Sequence, residues 1–384
     1  EPYRRQRQMC IRDRETATKD DYSYSETDGL TIKSDKEMIL FGTKSGKVMK
    51  GQIKAAGDID VNLAIRSLTI TRNTQGAAIT VNPAEGKTVT ITAYGTNNLT
   101  SSGAYAAIQK NGSGKLVLTS TTKGTINATA GNNATYGAAG IGSGANADAA
   151  NIEIAGGIVN ATAGSGTIGS KNIGGAGIGS GAYINDEAKL ASGITISGGT
   201  VIATGGDGGA GIGSGSDVEA TEIKVTGGVV KKATGGTDAA GVGSGANAKV
   251  SYIMISGGTV TAVGGANGAG IGSGLAGAAS DIYISGNVAV TVTAGTDGAG
   301  IGSGKNASVD NINIYLEYAG NLSVDGTENG AGIGSGATDT VSEATNINIS
   351  NTGFISIRAR GNGAGIGAGL NSETRDINLS LIHI

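Results

Sequence analysis

Apolar and polar residues alternate along most of this chain with the period of a strand that buries one face. Ile194 to Ala203 reads Ile-x-Ile-Ser-Gly-Gly-Thr-Val-x-Ala, Ile253 to Ala262 repeats it, and looser copies begin at Ile152, Ile223, Ile282, Ile312, Ile347 and Ile377. A two-residue period excludes an amphipathic helix, whose apolar positions recur every three or four residues. Alternating with this block is a second, Gly-Ala-Gly-Ile-Gly-Ser-Gly or a close variant. Its central residues are Ile141, Ile178, Ile212, Val242, Ile271, Ile301, Ile333 and Ile366, spaced by 37, 34, 30, 29, 30, 32 and 33 residues. A period of this size specifies stacked repeats.

One repeat predicts three short strands, Ile194 to Ile196, Thr200 to Thr204 and Gly209 to Gly215, with Gly-Gly pairs supplying the bends. Three strands in about 30 residues make one rung of a parallel β-helix, each strand pairing with its counterpart one rung along. Glycine supplies 71 of 384 residues, Trp is absent, and Phe is limited to Phe41 and Phe354. That much glycine excludes a helical solenoid, and a collagen-like chain would need strict Gly triplets with proline. The expected fold is all-β, a parallel β-helix of about 10 to 11 rungs, right-handed by the crossover rule. Its interior columns would be Ile194, Ile223, Ile253, Ile282, Ile312 and Ile347; then Val201, Val230, Val260 and Val288; then the eight glycine-block centres. Ile79 and Ile108 continue the last column backward by steps of 29 and 33.

Both ends depart from the pattern. Arg4 to Arg14 and Ser380 to Ile384 resemble translated sequencing-adapter ends of assembled metagenomes, so residues 1–14 and 380–384 are read as foreign to the coil and the natural chain is expected to continue. Residues 15–29 read as a polar linker and 30–379 as one β-helix domain, with less regular rungs over 30–136 and glycine-block rungs over 137–379. Setting residues 1–14 aside leaves 23 basic and 29 acidic residues, a net charge of −6, and with the tail removes Cys10 and His383. An acidic chain argues against a nucleic-acid partner, a cysteine-free one suits an extracellular setting, and no stretch reads as membrane-inserting.

Thr88 to Gly144 carries Asn-Asn-Leu-Thr-Ser-Ser-Gly-Ala-Tyr-Ala-Ala-Ile-Gln, then Lys-Leu-Val-Leu-Thr, Thr-Ile-Asn-Ala-Thr-Ala and Gly-Ala-Ala-Gly-Ile-Gly-Ser-Gly. With these motifs the chain resembles, over residues 60–379, the glycine-block repeat surface proteins of anaerobic gut bacteria, described as carbohydrate-binding or adhesin-like. The resemblance implies secretion, wall attachment through modules outside this sequence, and contact with polysaccharide or host glycans. It brings no catalytic motif.

Candidate chemistry is sparse. The paired acids Asp20–Asp21 and Asp58–Asp60 lack a recurring basic partner, so they read as turn or surface acids rather than a general acid and base. The expectation is a non-catalytic surface stalk or adhesin without cofactor, with a β-helix polysaccharide lyase or hydrolase and an ice-binding protein as rivals. The column Asp207, Asp238, Asn267, Asp297, Asn329 and Asn362 reads as turns in which these side chains tolerate left-handed backbone, with a calcium ladder as the alternative. If Ala176, Ile178 and Ser180 point inward, Gly175, Gly177, Gly211 and Gly270 belong to an outward, side-chain-free strip open to a sugar chain or to self-association. Tyr252 and Tyr283, with Tyr183, Tyr315 and Tyr318, could stack on sugar rings. Thr200, Thr204, Thr259, Thr261, Thr291 and Thr293 suggest a threonine patch broken at Val263 and Lys231.

Overall fold

The computed structural model describes residues 9–12, 18, 20–25, 28–42, 51–55, 57–183 and 188–381. It is a parallel β-solenoid of about 11 turns and about 30 residues per turn. Three ladders of parallel strands run along it, and each exists because an alternating segment can bury its apolar side only against the coil interior.

On the first face, strands such as Lys115–Thr119, Ala149–Ile154 and Leu190–Ile196 stack Leu116, Ile152, Ile194, Ile223, Ile253, Ile282, Ile312 and Ile347 in register. The second face carries Thr96–Thr100, Thr125–Thr129, Ile158–Thr162 and Thr200–Thr204. Glu219–Thr234 and Val250–Val263 run through both faces without a break. The third face is built from strands as short as Ile212–Gly213, and its column reaches back from Ile141 through Ile108, Ile79 and Ile53 to Leu30. These columns form one continuous apolar core from Leu30 to Ile349. Each buried aliphatic contributes roughly 1.5 to 3 kcal/mol, so stability accumulates rung by rung.

Three expectations need correction. Val260 pairs with Val290 and not with Val288, because the turn Ser285 to Ala289 is one residue longer than Ser256 to Thr259; Val288 is buried inside that turn. The third strand is two residues rather than seven, since the glycine block bends back on itself: Ala176 N–H donates to the Ser180 carbonyl at 2.8 Å across Ile178. The stretch read as a linker is partly structured. Tyr22–Ser25 pairs antiparallel with Gly29–Ile32, and Met9–Arg12, within the segment set aside as foreign, pairs antiparallel with Met38–Gly42. These two strands run antiparallel alongside the first rungs and cover strand edges that would otherwise be open to pairing.

From Ile152 onward a corner precedes each first-face strand core. Asn151, Glu222, Tyr252, Asp281, Asn311, Asn346 and Asp376 all have φ between 53° and 61°, and Gly193 takes the same place at 63°. Asn, Asp and Gly are the residues that tolerate this left-handed backbone at least cost. Tyr252 is the aromatic exception.

Candidate functional site

The outward side of the first face gathers the tyrosines. Tyr252 sits at its left-handed corner and Tyr283 lies one rung on, with ring centroids 5.7 Å apart and planes tilted by 49°. Lys224 Nζ lies 5.5 Å above the Tyr252 ring and 3.9 Å from Glu222, so its charge is shared between ring and carboxylate. Beyond Tyr283 the face turns to amides. Asn311 Nδ2 donates to Asp281 Oδ1 at 2.5 Å and to the Tyr283 hydroxyl at 3.2 Å. Asn313 Nδ2 donates to Asn311 Oδ1 at 2.7 Å, and the Tyr315 hydroxyl donates to Asn313 Oδ1 at 3.0 Å. Asn348 and Asn378 extend the amide ladder at 3.2 and 2.9 Å.

Tyr252, packed against Tyr283 and Lys224, and Tyr315, held in the amide network, are 36% and 45% exposed, so both rings still present faces to solvent. Such a platform can stack on sugar rings and offer amide groups to their hydroxyls. Asp310, at the edge of this network, has its carboxyl held below the ordinary range by hydrogen bonds from Thr345 and Asn346. Tyr183 does not belong to the platform, being buried, and Tyr318 stands alone on an exposed turn.

The glycine strip does not face solvent. Gly175, Gly177, Gly211 and Gly270 are all buried. A Cβ on Gly177 would come within 2.6 Å of the Gly211 carbonyl and 2.7 Å of the Thr204 nitrogen; one on Gly211 would lie 2.6 Å from both Gly241 O and Thr234 N. On Gly175 it would run into the Ala138 carbonyl, and on Gly270 into Val292. These four glycines have no left-handed φ. Space dictates them: the block folds into the coil, where backbone packs against backbone. The outward strip open to a ligand is therefore withdrawn.

Inside the same block lies a feature that the sequence reading passed over. Ser143, Ser180, Ser214, Ser244, Ser273, Ser303 and Ser335 are fully buried. Each hydroxyl accepts the N–H of a glycine one rung on, as in Gly215 N–H to Ser180 Oγ at 3.0 Å and Gly336 N–H to Ser303 Oγ at 3.2 Å. The serine at one place in seven of the eight blocks, replaced by Ala368 in the last, was the available signal.

The Asp and Asn column forms turns by a different route from the one expected. Gly209, Ala239 and Gly268 N–H donate to the carbonyls of Gly206, Gly236 and Gly265 at 2.8, 3.0 and 3.0 Å. Left-handed backbone appears only at Gly208, and none of Asp207, Asp238, Asn267 and Asp297 adopts it. Their side chains instead bond along the axis: Asn267 Nδ2 reaches Asp238 Oδ1, and Asn329 Nδ2 reaches Asp297 Oδ1, both at 2.7 Å. Lys305 Nζ adds an ion pair to Asp297 at 3.1 Å. Amide and ammonium donors thus occupy oxygens that a calcium ladder would use, and no cluster of three or more His, Cys, Asp or Glu suited to a metal occurs among the described residues.

The paired acids are engaged structurally. Asp60 Oδ1 accepts the Thr88 N–H at 2.7 Å. Asp21 accepts the Thr18 N–H at 2.8 Å, which with Ser34 and Lys36 lowers its pKa to about 2. A shallow groove lined by Glu85, Lys87, Ser113 and Lys115 borders one further carboxylate, Glu153. Lys115 Nζ sits 2.5 Å from Glu153 Oε2 and the Ser197 hydroxyl donates to Oε1 at 2.5 Å. Lys115 first and Ser197 second keep Glu153 below the ordinary carboxylate range, which suits an ion pair better than a proton-transfer group.

Set against known proteins, the chain matches a family described as Beta helix repeat at residues 194–216 and 253–275. No curated protein and no solved structure matches it. The two matched segments each span a first-face strand end, a second-face strand and a glycine block, and with the ladders above they make the chain a repeat-containing β-helix protein.

Proposed function

We propose that this coil is a non-catalytic, extracellular binding protein that lays a glycan chain along the tyrosine and asparagine face, in the manner of an adhesin or surface stalk. The observation that carries the reading is Tyr252. At this corner seven other rungs use Gly, Asn, Asp or Glu, while Tyr252 holds φ 61° beside Tyr283. A bulky residue in left-handed backbone costs about 1 to 3 kcal/mol, and such outliers persist where function retains them. Tyr252, Tyr283 and Tyr315 fall on successive rungs, each two residues further along the strand than the last, so a chain crossing the face on this diagonal would meet a ring at each rung with amides beside it. The extracellular setting rests on the acidic, cysteine-poor composition and on the resemblance drawn from the repeat motifs.

The test uses two variants on an array of soluble oligosaccharides, with product analysis of every glycan bound. Tyr252→Gly should stabilise the fold by about 1 kcal/mol, since glycine suits the corner, yet weaken binding about tenfold. Tyr283→Ala should weaken binding similarly. Equal binding by all three proteins overturns the reading, and release of shortened glycan replaces it with a lyase or hydrolase.

A further inference from the structure

The second face carries an outward array separate from the tyrosine platform. Backbone register places Thr71, Thr100, Thr129, Thr162, Thr204 and Thr234 in one column over consecutive rungs. Two residues toward the strand start runs a second column, Asn98, Asn127 and Asn160, whose amides bond in series at 2.8 and 2.7 Å, and which ends in Ile202. A third column holds Thr96, Thr125, Ile158 and Thr200. All of these side chains are at least partly exposed. From Thr96 to Thr204 the three columns contain no charged residue, and no register shift interrupts their pairing. The first shift falls where the second-face strand of the next rung begins to carry Lys231 and Lys232.

We infer that this threonine and asparagine grid is a second binding face, and that it takes the ordered surface of an insoluble, uncharged polysaccharide. Three properties select that ligand. The grid is rigid, because threonine has restricted χ1 freedom and the asparagines are tied to one another. A flexible soluble chain would lose conformational freedom in lying on it, whereas chains already packed in a fibre have lost theirs. The absence of charge gives a polyanion no counter-charge. Finally, the grid measures roughly 13 by 19 Å from strand and rung spacings, about 250 Å², against the roughly 800 Å² per partner of a stable protein interface. It also lacks the aromatic and arginine anchors that protein partners use. A fibre face offers the same contact many times over, so a small grid on a long stalk suffices through multivalency.

The experiment is depletion of the full chain from solution by microcrystalline cellulose and by crystalline chitin, with soluble oligosaccharides of the same sugars as competitors. Retention on at least one solid, poorly competed by its soluble oligomer, is the expected result. The double variant Thr129→Lys, Thr162→Lys should reduce retention about tenfold, and Thr129→Ser, Thr162→Ser, which keeps the hydroxyls, should retain most of it. Both changes are on the surface, and unchanged melting curves separate loss of contact from loss of fold. The lysine variant should leave binding of soluble oligosaccharides to the tyrosine platform intact, so the two faces fail independently. No retention on either solid, retention unaffected by the lysines, or loss of soluble-oligosaccharide binding with the lysines overturns the inference. Inhibition of ice recrystallisation without retention replaces it with an ice-binding face.

Discussion

The early rungs and the glycine-block rungs fill the same corner of the coil with different material. On the third face the inward column following the Ile column runs Ile32, Ala55, Val81 and Lys110 through the early rungs. Pairing of Gln109 with Gly142 then carries it into Ser143 and the buried serines beyond. Where the early rungs fill space with side chains, the later ones bring backbone inward and leave no room for a Cβ. That choice imports N–H and carbonyl groups into the interior, and buried backbone groups must be paired. The serine column pairs them. Apolar filling thus needs no ladder of hydroxyls, and backbone filling does.

The sharpest break in this comparison comes from one substitution made on either side of it. Gly243 has φ 142°, and a Cβ there would run into the Gly272 carbonyl. Gly243→Ala therefore combines backbone strain with overpacking, each costing about 1 to 3 kcal/mol, for a total of about 3 kcal/mol or more. Gln109, the equivalent position of an early rung, lacks that conformation. Gln109→Ala should stay within about 1 kcal/mol. Urea unfolding of the two variants checks this; equal effects would mean that the two regions share one packing rule.

Lys110 marks the junction and offers the second test. Its side chain is 1% exposed, with Nζ donating to the Gly112 carbonyl at 2.6 Å, and burial pushes its pKa down to about 8 from 10.5. Between those values the unfolded chain binds more protons than the folded one, so stability rises with pH from about 8 to about 10.5. Below pH 8 the coil carries the full penalty of a buried charge, about 3 kcal/mol for a shift of this size. Lys110→Met should raise the melting temperature at pH 7 and flatten its rise toward pH 10. A variant whose pH dependence matched the parent chain would remove Lys110 from this role.

Much of this architecture was legible because it follows from side-chain period alone. The Ile columns, the rung length and the backward extension through Ile108 and Ile79 need only alternation and spacing. Val288 failed because a one-residue insertion in a turn shifts register without changing the pattern around it. The direction of the glycines failed for a deeper reason. Alternation assigns faces by side chains, and a run in which every second residue has none can lie against other backbone on both sides. Tyr252 and Tyr283 were visible as candidate rings, but only backbone dihedrals reveal that Tyr252 sits at a strained corner. The threonine column was partly legible: Thr71, Thr100, Thr129, Thr162, Thr204 and Thr234 follow the rung period at steps of 29, 29, 33, 42 and 30. Lys231 does not interrupt this column, because a bulge displaces it and leaves Thr234 opposite Thr204, whereas Val263 does end it.

The smallest effect sharpens the claim that backbone filling requires the hydroxyl ladder. Ser303 Oγ donates to the Ala307 carbonyl at 2.6 Å and accepts the Gly336 N–H at 3.2 Å. Ser303→Ala removes one small group and strands two buried backbone partners, at a cost of about 2 kcal/mol. Ser273, one rung earlier, accepts the Gly304 N–H at 3.2 Å, and Gly304 immediately follows Ser303 in the chain. The Ser273 hydroxyl therefore holds the peptide unit that joins Ser303 to Gly304, while the Ser303 hydroxyl ties that bend to Ala307 and to the next rung. Loss of either should loosen the bend on which the other depends, so the double variant should cost less than the sum of the singles by about 0.5 kcal/mol or more. A double-mutant cycle read by urea unfolding measures that difference. Strict additivity would make each serine an isolated hydrogen bond, and the column would then be a by-product of repetition rather than a ladder.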